Sequence, residues 1–143
     1  MHCMSIWFKH YKIEDFRIST NIDKHLGIEF IELGADYLKA KMPVNDKTRQ
    51  PLGLLHGGAS CVIAESTASC AAFLTIDPSK KTVVGQSLTA NHIKSITEGY
   101  VYATASPIHI GKTTSIWNVK IENKNNEIIS QVVFTAMHKD IKN

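Results

Sequence analysis

The sequence predicts an α+β protein in which one antiparallel sheet wraps around one long central helix. A run of small and apolar residues extends from Gly57 to about Ile76 and contains one charged side chain, Glu65. Segments in which apolar and polar residues alternate lie beyond both ends of this run, as expected of strands with one buried face. A helix that is apolar on most sides must be buried on most sides, and a sheet wrapped around it provides that burial.

Length and composition indicate one domain over residues 1–143, with an arm at 1–20. The chain is 43% apolar and 20% charged, which is ordinary for a globular protein. Its net charge of +3 comes from scattered lysines, so a nucleic-acid partner is not expected. Neither a signal peptide nor a membrane-spanning segment is expected. Cys3, Cys61 and Cys70 lack metal-ligand spacing, so we expect free thiols, no bound metal and a cytoplasmic location.

The N-terminal elements are predicted from local patterns. Scattered aromatic and aliphatic residues from Ser5 to Thr20 predict short helical pieces or a packed arm. Gly27 to Leu33 predicts a strand, and Gly34 to Asp36 predicts a turn. Apolar residues alternate with polar ones from Leu38 to Val44, which predicts a second strand that forms a hairpin with the first.

A loop from Asn45 to Leu55 leads to the central helix. This helix begins at Gly57, would span on the order of 28 Å, and is stopped by Asp77 and Pro78. Turn signals then divide the rest of the chain into four strands of a predicted antiparallel meander: Thr82–Ser95, Gly99–Ile110, Lys112–Asn123 and Glu127–Lys139.

Glu65 and the start of the helix carry the chemistry. A carboxylate in so apolar a helix costs free energy unless it is paired or used, and we favour use over a hydrogen-bonded core carboxylate. The His56-Gly57-Gly58 turn supplies unpaired backbone N–H groups at the positive end of the helix dipole. Its two glycines allow a ligand to approach the backbone closely. A carboxylate and an oxyanion-binding turn are the parts needed for attack on a carbonyl.

Neighbouring side chains leave alternatives open. Gln50 could donate a second hydrogen bond to a carbonyl oxygen or be an ordinary loop residue. His56 could place a substrate or merely precede the helix. Ser69, one turn after Glu65, could orient the carboxylate or an attacking water, or bond back to its own helix. Cys61 has no base on its helix and is interpreted as core filling.

The spacing of these groups predicts a shared site. Gly57 and Glu65 are eight residues apart, hence about 12 Å apart along one helix axis. An oxyanion donor and its nucleophile must both lie about 3 Å from one reacting carbon. Two copies with antiparallel helices across a two-fold axis satisfy this condition, because Gly57 of one copy then meets Glu65 of the other. The protein is therefore expected to be at least a homodimer.

Two strand ends provide further polar groups. The tight turn at Gly111-Lys112-Thr113 offers a cation and a hydroxyl that could bind a phosphate. It could equally be a solvated hairpin whose lysine protects a sheet edge. His92, at the end of a predicted strand, is open to both kinds of interpretation.

Several stretches together resemble a known family. They are Gln50 to Ser69, with its Q-x-x-G-x-x-H-G-G…E arrangement, Val84-Gly85 with Ala90 to His92, and Pro107 to Gly111 with Trp117. From about Gly27 onward the chain resembles the hotdog-fold acyl-CoA thioesterases, in the branch of the Arthrobacter-type 4-hydroxybenzoyl-CoA thioesterases. The fold that this resemblance implies is the hotdog fold, an antiparallel sheet around one central helix.

The resemblance also implies roles for single residues. Glu65 matches the catalytic carboxylate, as nucleophile or as base for water, and the Gly57 N–H matches the donor that polarises the thioester. His56 and Gln50 match residues that place the thioester, and Ser69 matches a helper of the hydrolytic water.

Coenzyme A contacts and a homotetramer of two dimers are implied by the same resemblance, with no cofactor besides the substrate's own CoA. The implied CoA contacts are His92, Lys94, Gly111, Lys112 and Thr113.

The expected function is hydrolysis of an acyl-CoA thioester to a free acid and CoA. One alternative is a non-catalytic acyl-CoA-binding protein on the same fold, and another is a hotdog hydratase or dehydratase. The combination of Glu65, His56 and Gly57 favours hydrolysis over both. Small helix residues together with Leu54, Ile63 and Phe73 indicate a pocket for aromatic or medium-chain acyl groups, and menaquinone synthesis is one expected pathway.

Overall fold

A six-stranded antiparallel sheet wraps around one long helix. The structure, a computed structural model, describes residues 4–17 and 19–142. A 3₁₀ turn at Ile13–Asp15 precedes two α-helices and six strands, which in chain order are α1 (Asn21–Leu26), β1 (Glu29–Leu33), β2 (Leu38–Pro43), α2 (Gly57–Leu74), β3 (Lys81–His92), β4 (Tyr100–Ile110), β5 (Thr114–Glu122) and β6 (Ile128–Asp140). This is the predicted α+β architecture of an antiparallel sheet around one long helix.

The order of the strands corrects one prediction. The sheet runs β1-β2-β4-β5-β6-β3, and all neighbours are antiparallel. The meander therefore contains β4, β5 and β6, whereas β3 pairs with β6 along its whole length, from Lys81 opposite Asp140 to His92 opposite Ser130. The first hairpin explains the difference, because β2 already occupies the free edge of β4. Turn signals predict where strands end but not which strands pair.

Small residues let α2 lie close to the concave face of the sheet. Ala64, Ala68 and Ala71 are fully buried on the helix, and they face a sheet whose largest fully buried side chains are Trp117 and Phe134. Among the described residues, α2 is the one helix long and apolar enough to cross a membrane, with a mean hydropathy of 1.2 over 18 residues. Half of those residues are buried inside the sheet, as in the core helix of a globular domain.

The N-terminal arm covers one flank of α2. Trp7 Nε1 donates to the Gly34 carbonyl over 2.7 Å, and the Phe8 N–H donates to the Leu74 carbonyl over 2.8 Å. Helix α1 follows the arm; it was not predicted, because its six residues are too few to show a periodic apolar face. The predicted arm also includes Met1 to Cys3 and Ile18, which lie outside the described residues. The predicted free thiol of Cys3 is therefore not described.

Candidate active site

A clamped loop fixes the beginning of α2. The Leu55 N–H donates to the Ile96 carbonyl and the His56 N–H to the Thr48 carbonyl, both over 2.8 Å. His56 then acts as the N-cap of the helix, because its Nδ1 accepts the Gly58 N–H over 2.8 Å. An accepting Nδ1 carries a lone pair, so the neutral ring holds its proton on Nε2. The sequence left this capping role unspecified.

The Gly57 N–H lies in the first turn of α2, where backbone donors have no partner within the helix. No acceptor within the described residues takes this N–H. The His92 ring packs directly against Gly57, and a β-carbon built on Gly57 would lie 2.6 Å from His92 Nε2. Glycine is therefore required here by close approach of the ring, and the N–H remains open to a ligand.

One cavity of about 310 Å³ is lined by four of the predicted site residues, Gln50, Gly57, His92 and Lys94, and by apolar side chains. Gln50 turns its side-chain carbonyl back to accept the Leu52 N–H, which leaves its amide nitrogen as a donor. The described residues that line the cavity are Gln50, Leu54, Leu55, Gly57, Ser60, His92, Ile93, Lys94, Ser95, Ile96, Ile129 and Ser130.

Hydrogen bonds and an ion pair to neighbouring residues orient the polar side chains of this cavity. His92 Nδ1 lies 2.8 Å from the hydroxyl of the buried Ser130 on β6. Lys94 forms an ion pair with Glu127, and this hydrogen bond holds the pKa of the Glu127 carboxyl below its usual value. An anionic ligand in the cavity would compete with Glu127 for the Lys94 ammonium.

Glu65 lies away from this cavity and is exposed on the face of α2 opposite the core, so the premise that it is buried is wrong for the single chain. Its carboxylate lies against Gly85 of β3, where an added β-carbon would overlap Glu65 Oε1. The β3–β6 register shifts between Gly85 and Ser87, which marks a β-bulge at this point. Ser69 follows Glu65 by one turn on the same face.

The two described cysteines are protonated thiols at neutral pH. Burial, and then the charge of Glu65 one helical turn away, raise the pKa of Cys61. Burial and then Asp23 raise the pKa of Cys70 to about 12. A thiol with a raised pKa is a poor nucleophile, which agrees with the interpretation of Cys61 as a packing residue.

The predicted CoA contacts Gly111, Lys112 and Thr113 lie near the C-terminal end of α2, away from the Gly57 cavity. Gly111 and Lys112 line a separate cavity of about 210 Å³ together with Thr75 and Ile76, which directly follow the helix. Thr113 continues the same turn and is exposed. A single chain therefore contains three separate groups: the Gly57 cavity, the Glu65 face and the Lys112 turn.

Sequence reasoning missed two residues that shape these groups. Gly85 was noted only as part of a motif, although a glycine inside a strand often marks a bulge or a close approach. Ser130, the partner of His92, carries no signal in the sequence, because the contact depends on the pairing of β3 with β6. Within the described residues, no group of three or more His, Cys, Asp and Glu side chains is arranged to hold a metal ion.

Comparison with known proteins agrees with this architecture. A family model described as "Thioesterase superfamily" matches residues 52–130. The 1,4-dihydroxy-2-naphthoyl-CoA hydrolase of Escherichia coli is 42% identical over 81% of this chain and 86% of its own. The proofreading thioesterase EntH of Cronobacter turicensis is 39% identical over 81% of this chain and 85% of its own. A solved thioesterase of Haemophilus influenzae superposes with a TM-score of 0.92 at 34% identity, covering 96% of this chain and 97% of that one.

One long helix wrapped by an antiparallel sheet, with solved thioesterases as structural neighbours, is the hotdog fold. The chain belongs to the thioesterase superfamily, as the resemblance predicted, and its general chemistry is thioester hydrolysis.

Proposed function

We propose that the protein hydrolyses acyl-CoA thioesters, with Glu65 as the catalytic carboxylate and the Gly57 N–H polarising the carbonyl. The observation that carries the proposal is the open Gly57 N–H at the wall of a cavity that also contains Gln50 and His92. Backbone donors of this kind stabilise the oxyanion that forms when a thioester is attacked. Gln50 would supply a second donor through its amide nitrogen.

The reaction follows from the charges at this site. The thioester oxygen accepts the Gly57 N–H, and Glu65 of the partner subunit either attacks the carbonyl carbon or removes a proton from an attacking water. The tetrahedral intermediate then expels the CoA thiolate, which takes up a proton. If Glu65 attacks directly, water hydrolyses the resulting anhydride and releases the acid. Ser69, on the same face as Glu65, is proposed to hold the water in either route.

A homodimer at minimum is part of the proposal, and two features support it. Strand β3 is a 12-residue edge of the sheet, and an exposed edge of this length is suited to pairing with another strand. The face of α2 that bears Glu65 also exposes Phe73, which has 38% of its surface accessible. Antiparallel pairing of two α2 helices would cover this face. A tetramer of two such dimers is proposed from the family resemblance.

The same antiparallel pairing would bring the Lys112 turn of one subunit towards the Gly57 cavity of the other. His92 and Lys94 from one side, with the Gly111 to Thr113 turn from the other, are proposed to hold CoA. Cations and hydroxyls match the phosphates of CoA. A cytoplasmic location is likewise proposed, supported by the free thiols of Cys61 and Cys70.

The acyl group is proposed to be aromatic or of medium chain length. Leu54, Leu55, Ile96 and Ile129 give the Gly57 cavity apolar walls. Ile63, which the sequence analysis assigned to the pocket, is fully buried in the core and does not line the cavity. The aromatic substrate in the name of the Escherichia coli relative supports an aromatic acyl group.

A panel of acyl-CoA esters tests the proposal. Benzoyl-, naphthoyl- and fatty acyl-CoA are incubated with chelator-treated protein, and free thiol is measured. Turnover of at least one ester is expected, and it should persist after chelation. Glu65→Gln keeps the shape of the side chain but removes its charge, so kcat should fall by more than about a hundredfold with little change in KM.

Two results would contradict the proposal. If no ester is turned over, or if chelation abolishes turnover, the metal-independent hydrolase is wrong, and binding without turnover would favour an acyl-CoA-binding protein. A kcat loss of only about tenfold in Glu65→Gln would indicate a positioning role for Glu65 instead. Hydration of an enoyl-CoA without thiol release would favour the hydratase alternative.

A further inference from the structure

A second cavity lies beside the Gly57 cavity. It has a volume of about 370 Å³ and is formed by the loop that precedes β4 and the turn between β5 and β6. Its walls include Gly99, Tyr100 and the turn from Asn123 to Asn125. Ile96 is the one described residue that belongs to the walls of both cavities. The two spaces therefore meet at this residue.

Side-chain contacts also connect the two cavities. Lys94, in the wall of the Gly57 cavity, forms an ion pair with Oε2 of Glu127. The other carboxylate oxygen of Glu127 accepts a hydrogen bond from Asn123 Nδ2 over 3.1 Å, and Asn123 lies in the wall of the second cavity. A series of two contacts thus leads from the wall of one cavity to the wall of the other, so the cavities are neighbours.

Hydrogen bonds hold the main chain around Ile96 in place. The Leu55 N–H, at the wall of the Gly57 cavity, donates to the Ile96 carbonyl over 2.8 Å. Arg49 Nε donates to the carbonyl of the next residue, Thr97, over 3.0 Å. The Ile96 side chain is half-buried and packs against the core. Because the main chain is held by these bonds, shortening the side chain should open space without moving the loop.

We propose that the Ile96 side chain closes the passage between the two cavities and thereby limits the length of the acyl group. The inference rests on the proposed acyl-CoA hydrolysis, in which the Gly57 N–H binds the thioester oxygen. The acyl chain then extends from Gly57 along the apolar walls of the cavity and ends at Ile96. With a smaller residue at position 96, the far end of a longer unbranched chain would enter the second cavity and contact the ring of Tyr100.

Two variants separate this role from a general widening of the pocket. Ile96→Ala shortens the wall that both cavities share. Leu54→Ala removes the same number of carbons from a wall of the Gly57 cavity that does not border the second cavity. Both side chains are half-buried, so the melting temperatures of the two variants should fall by similar amounts.

A series of saturated esters from butanoyl- to tetradecanoyl-CoA, each below its micelle concentration, provides the measurement. In the wild type, kcat/KM should fall beyond a medium chain length. In Ile96→Ala the first ester beyond this limit should gain about tenfold or more in kcat/KM, since one methylene group in an apolar pocket has an effect of this size. Leu54→Ala should change all esters by a similar factor and leave the limit unchanged. Ile96→Val should move the limit less, and it replaces the alanine variant if that variant is unstable.

A further substitution tests where the longer chain lies. Tyr100→Ala removes an aromatic ring from the second cavity. In the wild type it should change kcat/KM of every ester by less than about twofold, because Ile96 keeps the chain away from this ring. In the Ile96→Ala background it should reduce the gain for the longer ester by about threefold or more.

Three results would overturn the inference. They are a wild type without a length limit, the same shift of the limit in Ile96→Ala and Leu54→Ala, and an equal effect of Tyr100→Ala in both backgrounds. If the wild type hydrolyses none of the esters, it is the proposed function that fails. Calorimetric binding of the same esters then measures the limit, and equal limits in the wild type and Ile96→Ala overturn the inference.

Discussion

At the scale of single residues, the position of the Glu65 carboxylate depends on Gly85. A β-carbon at residue 85 would overlap Glu65 Oε1 and would lie 3.2 Å from Cε2 of Phe134 in the core. The bulge between Gly85 and Ser87 brings this part of β3 close to α2. Glycine at this position therefore gives the carboxylate room, and any larger residue would push it aside.

Gly85→Ala should lower kcat by about tenfold or more, because an enzyme loses this much when its catalytic group is moved by a fraction of an ångström to one ångström. The fold should persist, since the overlapping atom is the end of the flexible Glu65 side chain and the Phe134 ring at 3.2 Å needs only a small shift. Steady-state kinetics and thermal melting measure the two effects.

The same substitution in a Glu65→Asp variant shows whether the effect acts through the carboxylate. In Glu65→Asp the shorter side chain already leaves room for a methyl group, so adding Gly85→Ala should change kcat by less than about threefold. Equal losses from Gly85→Ala in both backgrounds would mean that the methyl group acts on the strand and not on the carboxylate.

Residue types in the sequence indicated candidate chemical groups but not the surroundings of those groups. Glu65 and Gly57 were identified because a charge in an apolar helix and paired glycines at a helix start are rare without a use. The exposure of Glu65 could not be read from the sequence, because it depends on which face of α2 the sheet leaves uncovered. The same holds for the buried His138, whose partner Ser115 comes from another strand.

At the scale of elements, the start of α2 combines a structural task with a proposed catalytic one. The His56 ring caps the helix through Gly58 N–H, and the next residue presents its N–H to the cavity. A side-chain cap contributes about 1 kcal/mol to stability, and the helix dipole adds positive potential where the oxyanion would form. Capping therefore also determines the direction in which the Gly57 N–H points.

Replacing His56 by alanine or asparagine separates these tasks. His56→Ala should lower the free energy of unfolding by about 1 kcal/mol, whereas asparagine is itself a good N-cap and should keep stability within about 0.5 kcal/mol. Both variants should lose activity to a similar degree if the imidazole places the thioester. Urea denaturation and thiol-release kinetics measure the two quantities, and full activity in His56→Asn would show that the ring acts through the cap alone.

Local patterns predicted most elements and failed on their arrangement. The alternation from Leu38 to Val44 and the stop at Asp77 and Pro78 gave β2 and α2 with ends close to those observed. The pairing of β3 with β6 is a contact between segments far apart in the chain. The turn residues between β3 and β4 contain nothing that selects it.

At the scale of the whole molecule, a single chain holds the parts of the proposed site without joining them. The Gly57 cavity and the Glu65 carboxylate belong to one helix and are about 12 Å apart along its axis. No side-chain motion brings both to one carbon, since the helix is rigid and packed in the core. A two-fold pairing of α2 helices would produce two complete sites, each with one residue from either chain.

Complementation between inactive variants tests this arrangement. Glu65→Gln removes the carboxylate, and Gly57→Val displaces the N–H because its side chain must overlap the His92 ring. In a mixed dimer one site receives both lesions and the other receives neither. Mixing equal amounts, unfolding and refolding should therefore restore activity to about a quarter of the wild type, since half of the dimers are mixed and each has one intact site.

Each variant refolded alone is the control and should stay inactive, with circular dichroism showing that the Gly57 variant is folded. A milder lesion, Gly57→Ala, replaces it if valine prevents folding, because the alanine β-carbon already meets His92 Nε2 at 2.6 Å. Mixed dimers are identified by a tag on one variant. If tagged mixed dimers form and the mixture remains inactive, Glu65 and Gly57 do not form a site across two subunits. The antiparallel pairing of α2, and with it the delivery of the Lys112 turn to the neighbouring cavity, would then be wrong.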